Sequence, residues 1–321
     1  MINPPTLKMP SRIRRFRRRA SKSISNPKIL LREINRIYYS RRSGPGYNHE
    51  GIDIFEEEWD TLVVLDACRY DMFAERNTLP GHLEQRISRG SHTSEFLRGN
   101  FGDQVLLDTV YTTASPQLEQ RRDEIDVEFH AENHVWNTDR WDTDEGTVMP
   151  EAMTDTGLEA HESFPNKRHI VHYMQPHYPF IGSGIDSSTR TFRKDISNGL
   201  DIWGELFRGN LDVDASDIWK SYQKNLNFVL DEVERLLEGV NGRVVVTSDH
   251  GNMIGKRASP LPIREWGHPP RLYTDTLVTV PWLVNEGEER RETTAGQGKM
   301  ASPEVKKSTV DERLKDLGYL Q

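Results

Sequence analysis

The sequence is short of several things, and each shortage narrows what it can be. One cysteine, Cys68, stands among 321 residues, which excludes an internal disulfide framework and a zinc site built from several thiolates. Mean hydropathy is −0.72, and no apolar run is long enough for a spanning helix. The basic N-terminus is not followed by an apolar stretch, so no secretory signal is expected there. A cytoplasmic setting follows as the expectation, the inner face of a membrane included. No glycine-rich phosphate loop follows any apolar run, which disfavours a nucleotide-binding protein of that kind. Internal repeats and low-complexity tracts are absent, and lysine is scarce, 12 against 30 arginines.

What is present is unevenly charged. Residues 1–42 hold 13 Lys and Arg against one acid, Glu33, leaving 29 bases and 49 acids for the remainder. An acidic, lysine-poor body suits solubility at high salt and disfavours nucleic acid as its partner. The block "SRIRRFRRRASKS" (11–23) reads as a disordered basic segment. "NPKILLREINRIYYSRR" (26–42) predicts a helix, with Asn26 as N-cap, Pro27 at the first position, and Leu30, Leu31, Ile34, Ile37 and Tyr38 on one face. A basic amphipathic helix suits lying on anionic lipid, docking on a partner, or packing on its own domain with the charged side solvated.

From Gly44 the pattern alternates between strands and helices. Strands are expected at 60–66, 103–112, 168–174, 243–249 and 276–284. The clearest helix is 216–239, capped by Ser216, with Ile218, Tyr222, Leu226, Val229, Val233 and Leu236 at helical spacing and Gly239 at its end. A last helix is expected over 308–319, Ser308 and Asp311 forming a start like a capping box. Strands that are apolar throughout and separated by helices argue for a three-layer α/β/α domain with a mostly parallel central sheet. Three regions follow: a basic segment with its helix at 1–43, a core at 44–284, and a polar linker with a final helix packing on the core at 285–321.

Ligands of open α/β sheets collect beyond the carboxyl ends of the strands. Here those ends carry reactive groups repeatedly. Strand 60–66 ends at Asp66, strand 243–249 runs into Asp249 and His250, strand 168–174 contains His172 and leads to His177, and His268 shortly precedes strand 276–284. One such Asp is ordinarily a turn residue, and one such His is ordinarily structural. Four sites mixing Asp with His in one α/β frame fit a divalent metal better than a set of caps.

"TLVVLDACRYDMF", "HYMQPHYPF", "VVVTSDHGN" and "WGHPPRLYTDTLVTVPWLV" resemble, in order and spacing, the sulfatase-like branch of the alkaline phosphatase superfamily. "VDERLKDLGY" is similar to that branch's closing helix, so the resemblance covers roughly residues 58–320. "LDACRYD" with "HYMQPH" resembles most the sulfatase-like proteins of halophilic archaea associated with surface polysaccharides.

The resemblance implies an alkaline-phosphatase-like fold and a metal held by Asp66, Asp249 and His250, with the nucleophile as a further ligand. Carboxylates with one imidazole suit zinc or manganese better than calcium or magnesium. The nucleophile is expected in "SRGSHTSEFLRGNF" (88–101): Thr93 first, Ser91 and Ser94 as alternatives, at a helix start whose free N–H groups would favour an oxyanion. The proline usual just after the nucleophile is missing. His177 and His268 are expected to bind the transferred group, with His172 a further candidate. Ala67 and Tyr173 replace carboxylates that a second metal would need, which favours one metal. Cys68 lacks the Cys-x-Pro-x-Arg context of a formylglycine and reads as a buried small residue, while Arg69 and Asp71 read as an ion pair holding the loop.

The implied activity is metal-dependent hydrolysis or transfer of phosphate or phosphodiester groups through a covalent Thr or Ser intermediate. Sulfate esters, and a glycan or lipid-linked glycan as substrate, are also within what the resemblance implies. A sulfatase with an unmodified hydroxyl nucleophile and a silent scaffold in a glycan-assembly complex are the alternatives.

Overall fold

The computed structural model describes residues 27–182, 201–287, 290–296 and 305–319. The basic block 11–23, Asn26 and residues 297–304 of the polar linker lie outside the described residues. Helix α1 (Pro27–Ser43) comes first. Then follow β1 (Thr61–Leu65), α2 (Tyr70–Arg76), β2 (His82–Ile87), α3 (Thr93–Phe101), β3 (Gln104–Thr113), α4 (Gln117–Gln120) and β4 (Val127–His134). A small ribbon, β5 (Trp141–Asp142) and β6 (Thr147–Val148), leads to α5 (Pro150–Ser163) and β7 (Arg168–Tyr173). The second half holds α6 (Ile202–Arg208), α7 (Ala215–Gly239), β8 (Val244–Ser248), the ribbon β9 (Met253–Arg257) with β10 (Arg264–Gly267), α8 (Asp275–Val278), β11 (Thr279–Asn285) and α9 (Lys307–Asp316).

Seven strands form one sheet in the order β2-β11-β8-β1-β7-β3-β4. β8, β1, β7, β3 and β4 pair in parallel, and β11 runs against both β8 and β2. Successive side chains of β1 go to opposite faces. Val63 and Leu65 join the larger core, with Tyr222, Leu226 and Val229 of α7, Met153 of α5 and Leu314 of α9. Leu62 and Val64 join the second core, with Phe96, Leu97 and Phe101 of α3. Helices therefore cover both faces, and the expected three-layer α/β/α arrangement is what the chain forms.

Several local expectations are corrected. α7 starts at Ala215, and its cap is Asp214, whose side chain accepts from the Ser216 amide at 2.7 Å. Asp214, two residues earlier, accepts from the amide of Ser216 itself, so Ser216 falls inside the first turn and not at its cap. α9 begins after Lys306 with no side-chain cap bond, so Ser308 and Asp311 form no capping box. The expected strand 276–284 divides into the turn α8 and strand β11.

Of the two orientations left open for it, α1 takes the one with the apolar stripe outward. Its buried residues are Asn35, Tyr39 and Ser43, while Leu30, Ile34, Ile37 and Tyr38 are 52, 42, 51 and 44% exposed. Polar contacts hold it. Arg32 Nε donates to both oxygens of the buried Glu265 carboxylate at 3.1 and 2.9 Å, and the Asn35 side chain exchanges bonds of 3.0 and 2.9 Å with the Leu261 backbone. Among the described residues no helix is long and apolar enough to cross a membrane.

Candidate active site

The central strand fixes the site's position. Leu65, the last residue of β1, pairs with Ser248 on one side and Tyr173 on the other. Asp66 and Asp249 therefore follow two residues already in register, and both leave the sheet at the same rim. Each is fully buried. Ala67, next to Asp66, takes a left-handed backbone with φ 61°, and its amide donates to Asp249 Oδ1 at 2.9 Å. The His250 amide donates to the same oxygen at 2.8 Å. Gly251 is required by a close approach: a Cβ there would lie 2.1 Å from the Thr276 carbonyl oxygen.

His250 is oriented by its own backbone. Its Nδ1 lies 2.8 Å from the Gly251 carbonyl, an acceptor only, so Nδ1 carries the proton and Nε2 presents a lone pair. Nε2 sits 3.3 Å from Asp249 Oδ2 and 3.7 Å from Asp66 Oδ1. Those two carboxylate oxygens are buried and have no hydrogen-bond partner. Burial first, and the neighbouring Asp249 second, push the Asp66 carboxyl well above the usual range.

The donor set fits a divalent cation. One ligand atom each from Asp66, Asp249 and His250 lies within 4.8 Å of the others. A tetrahedral zinc with bonds of about 2.0–2.1 Å spaces its ligands about 3.3 Å apart, close to the His250 spacings. Such an ion would satisfy the one oxygen of each buried carboxylate, Asp66 Oδ1 and Asp249 Oδ2, that accepts no hydrogen bond among the described residues.

α3 brings the hydroxyls. Thr93 opens the helix, fully buried, with Oγ1 3.2 Å from His250 Nε2 and 3.5 Å from Asp66 Oδ2. Ser91 Oγ is turned to Glu95 Oε2 at 2.9 Å and to the Pro269 carbonyl at 3.2 Å. Ser94 Oγ lies 3.0 Å from His92 Nδ1. The expected free amide at the helix start is not free: His92 Nδ1 accepts from the Ser94 amide at 3.1 Å.

His177 and His268 come together, Nε2 to Nε2 at 2.8 Å. His177 Nδ1 faces the Tyr178 carbonyl, so it holds that ring's proton and Nε2 accepts from His268. Burial pulls His177 down to about 4 and His268 well below its ordinary value. Asn225 braces the loop by donating to the carbonyls of His177 at 3.0 Å and Pro179 at 2.9 Å. His172 lies apart, inside β7, with Nδ1 2.9 Å from the Tyr111 hydroxyl and its ring against Phe96.

Two residues were not anticipated. His92, the α3 cap, places its ring 5.0 Å from that of His268 and 6.2 Å from that of His250. Tyr319, just beyond α9, donates its hydroxyl to Asp66 Oδ2 at 2.8 Å and stacks on His177 at 4.8 Å. A His directly before a Thr-led helix is the sequence signal for the first. For the second, "LKDLGY" shows only an apolar helix face.

The flanking residues are structural. Cys68 is buried, and burial raises its thiol well above the ordinary value. Arg69 Nε donates to Asp71 Oδ1 at 2.8 Å. Tyr173 turns its hydroxyl to Thr154 Oγ1 at 2.8 Å.

No family model matches the chain. Among curated proteins it is similar to the low-salt glycan biosynthesis sulfotransferase Agl7 of Haloferax volcanii, 23% identical over 267 residues, or 79% of this chain and 60% of that protein. The chain thus spans less than two thirds of that relative. The chain resembles the sulfatase-like branch of the alkaline phosphatase superfamily. Among solved structures, a similar one is the C-terminal periplasmic domain of EcEptC from Escherichia coli in complex with Zn. It has a TM-score of 0.45 and 15% identity, covering 72% of this chain and 74% of that one. Another is a protein in the alkaline phosphatase superfamily from Vibrio parahaemolyticus, with a TM-score of 0.42 and 10% identity, covering 73 and 61%.

Proposed function

We propose that the chain is a metal-dependent enzyme that moves a phosphoryl or sulfuryl group between oxygen atoms through a covalent ester on Thr93. The observation that carries this reading is the pair of unpartnered buried oxygens, Asp66 Oδ1 and Asp249 Oδ2, facing His250 Nε2 beside the Thr93 hydroxyl. Asp66, Asp249 and His250 would hold one zinc or manganese ion, with Thr93 as the further ligand. When bound, that ion would supply Lewis-acid stabilisation of negative charge at the reacting centre.

The chain's own residues do the rest. Thr93 is fixed at the first position of α3, so its hydroxyl meets the substrate in one orientation. Attack by Oγ1 forms the bond to phosphorus or sulfur as the bond to the leaving oxygen breaks. Asp66 Oδ2, 3.5 Å from Oγ1, is placed to take the hydroxyl proton. His268, braced by His177, and His92 line the transferred group and steady it, while the leaving oxygen takes its proton from solvent. Water as acceptor gives hydrolysis, and a glycan hydroxyl gives transfer.

The similarity to the glycan biosynthesis sulfotransferase Agl7 supports a narrower second reading on the same site, sulfuryl transfer to a glycan. Aryl phosphate mono- and diesters and aryl sulfate, assayed with Zn²⁺ or Mn²⁺, separate the two. Mass spectrometry of quenched enzyme should find the added group on Thr93, and Thr93→Ala should lose it together with about 10³-fold in turnover. Absence of stoichiometric metal, with an Asp249→Ala variant active in cells, would instead make the chain a scaffold.

We also infer contact with an anionic membrane surface. The outward apolar stripe of α1 falls within residues 1–42, which by sequence hold 13 bases against one acid. A cytoplasmic setting rests on the sequence alone. Co-sedimentation with phosphatidylglycerol vesicles, lost in an Ile34→Glu/Ile37→Glu variant, tests the contact.

A further inference from the structure

The site opens into a cleft of about 670 Å³ that reaches from His92, His268 and Tyr319 outward between α1, α3 and α4. Its walls are basic in a body that is otherwise strongly acidic. On one wall Arg36 pairs with Glu33 at 2.6 Å, and Arg271 reaches the same carboxylate at 3.7 Å. Across the cleft Arg98 and Arg121 share one carboxylate, Glu124, with Arg121 at 3.1 Å. The lining as a whole carries six arginines, Arg32 and Arg208 included, against four acids, Glu95 and Asp201 included, a surplus of two positive charges. Arg36 Nε and Arg121 Nε are buried and have no hydrogen-bond partner among the described residues. Desolvation is the main cause that lowers the Arg36 pKa, the cost of a buried cation with incomplete compensation.

We infer that the cleft binds a second anionic group of the substrate, a phosphate, sulfate or carboxylate separate from the group that Thr93 receives. This deepens the proposed function and rests on it for the position of the reacting group. Arg98 lies five residues beyond Thr93 on α3, about 7.5 Å along a helix axis. The second anion therefore sits several bonds from the first. Guanidinium forks suit it, because each offers paired N–H donors to one oxyanion.

The probes are hexyl phosphate and 1,6-hexanediol bisphosphate, which share a chain and differ by one terminal phosphate. Calorimetry on the Zn²⁺-loaded full chain should give at least about tenfold tighter binding of the bisphosphate. Arg98→Gln/Arg121→Gln should bring that ratio within about threefold. Glu124→Gln, which adds a surplus charge and leaves both arginines, should raise it. Equal affinities in the wild-type chain, or a ratio unmoved in both variants, would overturn the inference. Asp249→Ala separates this outcome from failure of the metal reading: it should weaken both probes by a similar factor and keep the ratio. If it weakens neither while the ratio still follows the arginines, the metal reading falls and the second anion site stands.

Discussion

Strand β1 has a buried aspartate at each end, and the two ends are treated very differently. At its start, Asp60 Oδ2 accepts from the Arg243 amide at 2.7 Å and from Arg290 Nε at 2.8 Å. At its finish, Asp66 Oδ1 accepts no hydrogen bond among the described residues. The backbones nearly mirror each other: the His169 amide donates to the Asp60 carbonyl at 3.0 Å, and the His177 amide to the Asp66 carbonyl at 3.1 Å. Both ends also carry buried histidines. His161 stacks on His169 at 3.8 Å; His161 Nε2 meets Thr61 Oγ1 and His169 Nε2 the Phe164 carbonyl. Among the described residues the one orphan there, His169 Nδ1, is not part of a facing set of ligand atoms. Residue type and burial therefore do not mark a site. Unsatisfied polar atoms facing one another do.

The comparison can be broken most forcefully at the finish. Asp249→Ala should cost about 10³-fold or more in kcat/KM and abolish stoichiometric metal binding, measured by turnover and by metal analysis of the same sample. Retained metal would place the ion elsewhere. At the start, Asp60→Ala should destabilise the fold by about 2–3 kcal/mol in urea melts, because a charged acceptor of two hydrogen bonds is lost. Its kcat/KM should stay within about twofold. A large activity loss there would erase the distinction between the ends.

Acid should expose the start as well. Burial holds His169 down to about 4, whereas an unfolded His titrates near about 6.5. Below that pH the unfolded chain takes up the proton and the folded chain does not. Stability present above about 6.5 is therefore lost as pH falls toward 4. The loss should be about 1–2 kcal/mol between pH 7 and 5.5, and His169→Gln should flatten the slope of melting temperature against pH. The smallest effect sharpens the finish. In chelator-treated protein, Asp249→Asn keeps the Oδ1 acceptor, removes one of two adjacent charges and offers an N–H to Asp66. Its melting temperature should rise by roughly 2–4 °C, about 1 kcal/mol, and a fall would mean the carboxylates do not oppose each other.

How far the sequence could be read follows from the same physics. The apolar runs before Asp66 and Asp249 are fully buried parallel strands, and continuous branched residues announce that. β2 ("HLEQRI") and β4 ("VEFHAENH") carry too many polar residues to stand out, because both are edge strands with one side less demanding. The apolar stripe of α1 was legible, but its direction was not. That depended on Glu265, more than two hundred residues away, offering Arg32 a buried partner. His92 and Tyr319 were hidden for a similar reason: one reads as a cap and the other as a helix terminus until the tertiary fold carries both to Asp66 and its neighbours.

α1 faces two ways at once. Arg32 and Arg36 border the cleft, while Ile34 and Ile37 point outward from the same turns. A helix seated by its outer stripe on a lipid leaflet would hold the cleft mouth at a fixed height above that plane. Acceptors carried in the leaflet would then arrive by lateral diffusion in two dimensions, and turnover would follow their surface density rather than their bulk concentration.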